Sequence, residues 1–145
     1  LPEVLTRDII SPVKRSVEGL SDLIKEYEKE QMAKEVYGLL PRGWHEEMRT
    51  YTESEFTTIA FKEGKMAAVS SDEVSRGYNR DECNARDGEI IEATDHLAAF
   101  IEAYMALKNG MTSKELEDAK KSLKRRYRQT VIAGIKFGEI YADFE

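Results

Sequence analysis

Apolar side chains recur every three or four positions along several stretches of this chain, which is the spacing of one face of an α-helix. The first stretch begins at about Ser16 and stops at residues 41–43, where the sequence Pro-Arg-Gly breaks a helix. A second, shorter helix is predicted at residues 44–52. Its apolar positions fall on one face and are Trp44, Met48 and Tyr51.

Helical spacing returns at Gly88 and predicts a long helix that ends at Asn109-Gly110, because glycine accepts the left-handed conformation of a helix cap. The segment 112–115 then has the pattern of a capping box, in which a hydroxyl and a carboxylate each satisfy a backbone N–H. We expect a long final helix to start there. One side of that helix would carry Leu116, Ala119, Leu123, Tyr127, Val131 and Ile135.

The sequence between these helices has a different composition. Residues 56–61 are rich in β-branched and aromatic side chains, and residues 65–69 could return as a partner strand. The intervening Lys-Glu-Gly supplies a turn. Residues 70–87 are polar and are predicted to form a loop. The pattern as a whole predicts a mainly helical protein with one β-hairpin inserted between helices.

Composition narrows the class of protein. With 145 residues, 41% of them hydrophobic, the chain fits one domain with a modest core. The net charge of −6 argues against a general nucleic-acid binder, and no apolar run approaches the roughly 20 residues of a membrane span. The single cysteine, Cys83, cannot form an intramolecular disulfide, and no signal peptide is recognisable. A cytoplasmic location is the expectation.

Asp95 is the first residue that could carry chemistry. It lies within the predicted helix beside apolar positions, where a carboxylate resists desolvation unless a cation meets it. One interpretation is a structural ion pair with an Arg or Lys from another helix. The other is a metal ligand or a catalytic group. The two histidines, His45 and His96, do not have the spacing of a zinc site.

Charged residues near the start of the chain offer a second candidate. Glu3 and Asp8 could divide acid and base roles or orient a water molecule, or they could simply end a helix and cap a turn. Lys14 and Arg15 could contact a phosphate group, or they could form a solvated pair that leads into a helix.

Two separated stretches of the sequence resemble the HD-domain phosphohydrolases, in the branch that includes the 5′-deoxynucleotidases. The first is LPEVLTRDIISPVK (residues 1–14), which is similar to the segment that follows the family's His-Asp pair. The second is IEATDHLAAF (residues 91–100), which is similar to the later helix that carries the last metal-binding aspartate. The two motifs occur in the family's order, and the similarity covers about residues 1–54 and 88–125.

The resemblance implies an HD-like helical bundle that holds a divalent metal ion (Mn²⁺, Co²⁺, Mg²⁺ or Zn²⁺) with two histidines and two aspartates. It makes Asp95 the final metal ligand, Glu3 an acidic group beside the substrate and the attacking water, and Asp8 the second acidic group. Lys14 is then a candidate for substrate binding. The implied reaction is hydrolysis of a phosphate monoester such as a (deoxy)nucleoside 5′-monophosphate, by a homodimer.

The sequence departs from this family pattern in two places. The His-Asp pair would stand immediately before Leu1, so we expect that residues 1–145 are the C-terminal portion of one HD-like domain. Residues 56–87, called the inserted segment below, are normally absent or short in the branch. These departures favour the alternative of a non-catalytic helical binding module.

Overall fold

The computed structural model of the protein describes residues 12–144 and divides the chain into two compact units, Leu1–Glu55 and Phe56–Glu145. Each unit is described by itself. The expectation that both belong to one domain stays a prediction. The predicted fold class is confirmed, since the protein is mainly helical and carries the expected antiparallel hairpin.

The first unit is a series of helical segments. Residues 12–16 are helical, and the backbone then reverses at Gly19, whose φ of 76° is left-handed. The regular helix therefore begins later than the expected Ser16. The elements that follow are helix α1 (Leu20–Gln31), a π-helical turn (Met32–Val36), two 3₁₀ turns (Tyr37–Leu39 and Arg42–Trp44) and helix α2 (His45–Glu53).

Tyr37 is the buried side chain that holds the second half of this unit together. Its hydroxyl lies 2.7 Å from Thr52 Oγ1, and the Arg49 guanidinium lies 5.5 Å from the centre of its ring. His45 Nε2 lies 3.0 Å from the carbonyl oxygen of Leu40. These contacts tie α2 to the 3₁₀ turns before it, whereas no residue of α1 is buried.

The second unit opens with the predicted hairpin. Strand β1 (Ile59–Lys62) pairs antiparallel with β2 (Lys65–Ala68), so that Lys62 faces Lys65 across a two-residue turn. Both turn residues have positive φ, 53° at Glu63 and 82° at Gly64. Positive φ at both positions gives the turn a twist that matches the twist of the strands.

The polar residues that follow are helical, so the prediction of a loop at residues 70–87 is wrong for most of the segment. Ser70 Oγ accepts a hydrogen bond from the backbone N–H of Glu73, and the Glu73 carboxylate accepts one from the N–H of Ser70. This reciprocal cap starts a helical turn because it satisfies two otherwise free donors. The segment contains helix α3 (Ser71–Glu73), a π-helical turn (Val74–Tyr78) and a 3₁₀ turn (Asp81–Cys83).

The inserted segment ends at helix α4 (Gly88–Lys108) and is hydrogen-bonded to the first turn of that helix. The buried Ser71 hydroxyl lies 2.6 Å from Asp87 Oδ1 and 2.7 Å from Glu89 Oε2, so its one hydrogen serves two carboxylates. Asp87 also caps α4, accepting from the N–H of Ile90. A Cβ on Gly88 would lie 2.2 Å from the carbonyl carbon of Phe56, so glycine permits this close approach.

Helix α4 ends as predicted. Gly110 has a φ of 89°, its N–H donates to the carbonyl oxygen of Leu107, and the N–H of Met111 donates to that of Ala106. This pair of bonds is the Schellman motif. The next helix, α5 (Lys114–Tyr127), is capped by Ser113, whose hydroxyl accepts from the N–H of Leu116, and not by the predicted Thr112.

The prediction of one long final helix is wrong beyond Tyr127. Strands β3 (Val131–Ile132) and β4 (Ile135–Lys136) form a second antiparallel hairpin, and the chain then continues as helix α6 (Phe137–Ala142). The turn residues Ala133 and Gly134 have φ of 49° and 83°. β-Branched side chains on both sides of an Ala-Gly turn favour strands over a continued helix.

The core of the second unit is an aromatic cluster between α4, α5 and α6. Phe100 and Tyr141 lie with ring centroids 4.7 Å apart, and Tyr141 stacks on Tyr127 at 5.4 Å with ring planes 5° from parallel. The buried members of this cluster are Ala93, Phe100, Tyr127, Ile132, Phe137 and Tyr141.

Among the helices that the structure describes, none has an apolar stretch long enough to cross a lipid bilayer.

Ser71→Ala tests whether the buried hydroxyl holds the inserted segment on α4. We expect the free energy of unfolding to fall by about 1.5–3 kcal/mol, since hydrogen bonds to charged groups contribute that much and two carboxylates lose their shared donor. Urea unfolding followed by circular dichroism measures it. Ser75→Ala, at an exposed serine of the same segment, is the matched control and should change stability little.

Candidate functional site

The structure describes some of the predicted site residues and not others. Glu3 and Asp8 lie outside the described residues. Lys14 lies in the helical turn of residues 12–16 and is half-buried. Asp95 lies near the middle of α4 in the second unit. The structure therefore describes the surroundings of Asp95 in detail, and the roles assigned to the other three stay predictions.

Asp95 is exposed, although the sequence placed it at the edge of an apolar face. Ile91 and Ala98, its neighbours on that face, are exposed as well, and the buried side of α4 is formed by smaller and aromatic residues. Because water solvates the carboxylate, it needs no cation from another helix to offset a desolvation cost. The carboxylate is thus open to an approaching ligand.

The surface next to Asp95 is negatively charged and borders the buried phenol of Tyr127. Burial raises the pKa of Tyr127, and the nearby charges of Glu92, Asp95 and Glu89 raise it further, while Arg126 opposes them. Arg126 Nη2 donates to Glu92 Oε1 at 2.8 Å. Three carboxylates on consecutive turns of one helix leave a net negative potential, which favours a cation over an anion.

The His96 side chain lies behind this surface and points in a different direction from the Asp95 side chain. Its Nδ1 lies 2.7 Å from the hydroxyl oxygen of Tyr127, and the two rings are 5.7 Å apart. The pair links α4 to α5 through a hydrogen bond that the sequence did not indicate. The sequence offered one signal for it, the position of Tyr127 on the predicted apolar side of the last helix, and none for His96.

Within residues 12–144, no three His, Cys, Asp or Glu side chains lie close enough together to hold a metal ion. The described residues therefore do not by themselves make the four-ligand site that the resemblance implied. Asp95 offers one carboxylate, and one carboxylate does not bind a divalent ion tightly.

The hydroxyl oxygen of Tyr141 is an unusual polar atom near this site. Its side chain is fully buried, and within the described part of the chain its hydroxyl has no hydrogen-bond partner. Burial, with the neighbouring Tyr127 as a smaller cause, raises the pKa of the Tyr141 phenol to about 12. The hydroxyl therefore stays protonated at every physiological pH.

These observations define a mainly helical protein in which a long helix, α4, presents the acidic residue Asp95 to solvent. The family model described as the HD domain matches residues 1–124. The chain belongs to the HD-domain family, which is in general a family of metal-dependent phosphohydrolases. Neither a curated protein nor a solved structure gives a significant match to this chain.

Tyr141→Phe and Tyr127→Phe form a matched pair of substitutions in the aromatic cluster. Removing the Tyr141 hydroxyl should raise the free energy of unfolding by about 1 kcal/mol, because a buried polar atom without a partner costs stability. Removing the Tyr127 hydroxyl should lower it by about 1 kcal/mol, because the hydrogen bond to His96 is lost. Urea unfolding at neutral pH gives both values, and equal effects would contradict the assignment.

The raised pKa of Tyr141 also predicts how stability depends on alkaline pH. Below pH 10 the phenol is protonated in the folded and unfolded chain alike. Between about pH 10 and 12 the unfolded chain releases the proton and the folded chain keeps it, so the free energy of unfolding falls as pH rises.

Urea unfolding at pH 9 and pH 11 measures this slope. Tyr141→Phe should lessen the fall relative to the unchanged protein, whereas Tyr27→Phe, at an exposed tyrosine of α1, should leave it as it is. A slope that Tyr141→Phe does not alter would show that other groups cause the fall.

Proposed function

We propose that this protein is a metal-dependent phosphohydrolase that acts on phosphate monoesters, with (deoxy)nucleoside 5′-monophosphates as the substrate class. The observation that carries the proposal is the match of the HD-domain model to residues 1–124 of 145. Membership of the 5′-deoxynucleotidase-like branch rests on the resemblance of residues 1–14 and 91–100.

Asp95 is the metal ligand in this proposal. Support comes from its position on the long helix α4, its exposure and the negative potential that it shares with Glu89 and Glu92. Glu3 and Asp8 are the proposed acidic groups beside the substrate, and Lys14 the proposed phosphate contact. The remaining metal ligands are proposed to come from groups outside residues 12–144.

The resemblance also supports a homodimer and a cytoplasmic location as proposals. Several apolar side chains of the first unit are exposed in the described structure, including Leu39 at 85%, Leu23 at 67% and Tyr27 at 61%. Leu23 and Tyr27 lie four positions apart on α1 and so fall on one face of that helix, which is the kind of apolar surface that a second copy could cover.

A non-catalytic helical binding module is the second candidate. It is favoured by one observation, the absence from residues 12–144 of a group of side chains that could hold a metal ion. In that case Asp95 is an ordinary surface carboxylate of α4, and the HD fold serves as a scaffold.

Phosphate release from a panel of nucleoside 5′-monophosphates, with added Mn²⁺, Co²⁺ or Mg²⁺, tests the proposal in the full-length gene product. Asp95→Asn should lower kcat/KM by about 100-fold or more, because even the outer partners of metal ligands are worth 10–100-fold. Asp118→Asn, at an exposed aspartate of α5, is the matched control and should keep full activity.

The outcomes separate the two candidates. Metal-dependent release that Asp95→Asn abolishes supports the hydrolase with Asp95 as ligand. Release that survives Asp95→Asn would overturn the ligand assignment. No release with any metal ion, together with no Mn²⁺ binding by calorimetry, would favour the binding module.

A further inference from the structure

The second half of α5 concentrates positive charge in an otherwise acidic chain. Residues 120–128 contain six of the 22 lysines and arginines and no aspartate or glutamate, although the whole chain has a net charge of −6. The six cations are Lys120, Lys121, Lys124, Arg125, Arg126 and Arg128. Such a local reversal of sign marks a surface that attracts anions.

Four of these cations lie on one face of the helix. They occupy positions i, i+3, i+4 and i+7, which are neighbours on a helix surface, and Arg128 still has helical backbone angles. The face lines a groove of about 620 Å³, whose opposite wall is the small-residue side of α6. The residues around the groove are Lys121, Lys124, Arg125, Arg128, Gly138 and Ala142.

The groove exists because α6 folds back against the end of α5. The β3–β4 hairpin reverses the chain, and the buried Phe137 and Tyr141 hold α6 on the aromatic core. At Gly138 a Cβ would lie 2.1 Å from the carbonyl oxygen of Arg128, so only glycine permits this approach. Gly138 therefore brings the backbone of α6 against the end of α5, and together with Ala142 it forms the groove wall opposite the cations.

We propose that this groove binds a compound that carries two or three linked phosphate groups. Guanidinium groups bind phosphate oxygens in pairs through planar N–H donors, and lysine adds a point charge. Lys121 forms an ion pair with Glu117 at 3.6 Å, whereas Arg125 and Arg128 form no ion pair with another described residue, so these two guanidinium groups are the ones available to a ligand in the groove. The groove volume is within the range of about 300–1,000 Å³ of small-molecule sites.

The helix macrodipole gives a competing reason for cations at this place. It favours positive side chains in the last turn of a helix whether or not a ligand binds. It does not account for Lys121, which lies before the last turn, or for the backing wall that makes the surface concave. The macrodipole therefore explains part of the charge and not the groove.

A small phosphate compound fits this site better than a nucleic acid. A nucleic acid would need a basic face that follows its backbone over several phosphates, and the surrounding chain is acidic. The four cations lie within residues 121–128, whose seven steps of 1.5 Å span about 10 Å. Most of the lining residues also lie beyond residue 124, where the HD-domain match ends.

Isothermal titration calorimetry without metal ions, using inorganic tripolyphosphate as the probe, tests the proposal in the whole protein. We expect saturable binding of one equivalent, weakened by added salt. The double variant Arg125→Gln/Arg128→Gln should weaken binding at least about tenfold, because it removes two charge-assisted contacts. Lys25→Gln/Lys65→Gln removes the same charge from exposed sites elsewhere and should change affinity less than about twofold.

Ala142→Leu provides a second variant that keeps every charge. The larger side chain narrows the groove, so it should weaken tripolyphosphate binding while a merely electrostatic surface would bind as before. ATP, titrated in the same way, identifies the source of the phosphates: tighter binding of ATP than of tripolyphosphate indicates a nucleotide, and the reverse indicates an inorganic polyphosphate.

Four results would overturn the proposal. They are no binding of either probe, equal binding by the Arg125→Gln/Arg128→Gln variant, equal binding by the Ala142→Leu variant, and a single-stranded RNA oligonucleotide that binds more tightly and displaces tripolyphosphate completely. The last would make the surface a nucleic-acid contact. Since the readout is binding without metal, each result is independent of whether the protein hydrolyses monophosphates.

Discussion

The packing of Tyr141 between Phe100 and Tyr127 is the contact on which the second unit depends. It joins one ring from each of the three helices α4, α5 and α6, at centroid distances of 4.7 and 5.4 Å. Aromatic rings contribute large buried areas, and offset or tilted pairs add a further favourable term. Because α6 is only six residues long, Tyr141 and the buried Phe137 are the two side chains that hold it on the core.

The same cluster connects the core to the candidate site and to the basic groove. Tyr127 contacts His96 behind the acidic surface that includes Asp95, and it is the last residue of the helix that carries the groove cations. The two surfaces have opposite sign, since carboxylates of α4 dominate one and cations of α5 the other. One core thus supports a surface suited to cations and another suited to anions.

The elements that could be predicted from the sequence are those that depend on interactions between neighbouring residues. The first hairpin and the glycine cap of α4 were predictable because each depends on a few adjacent residues with a defined backbone conformation. The second hairpin could not be predicted in this way, because Val131 and Ile135 continue the helical spacing of the preceding residues by coincidence. The exposure of Asp95 depends on how α4 packs against other helices, which one sequence does not show.

The inserted segment departs from the chain and rejoins it at nearly the same point, since Phe56 touches Gly88 and Ile59 pairs with Arg86. The entropy cost of closing a loop grows only slowly with its length. The residues between these two contacts can therefore be lengthened or exchanged by evolution or by a protein engineer, provided that Asp87, which caps the long helix, is kept.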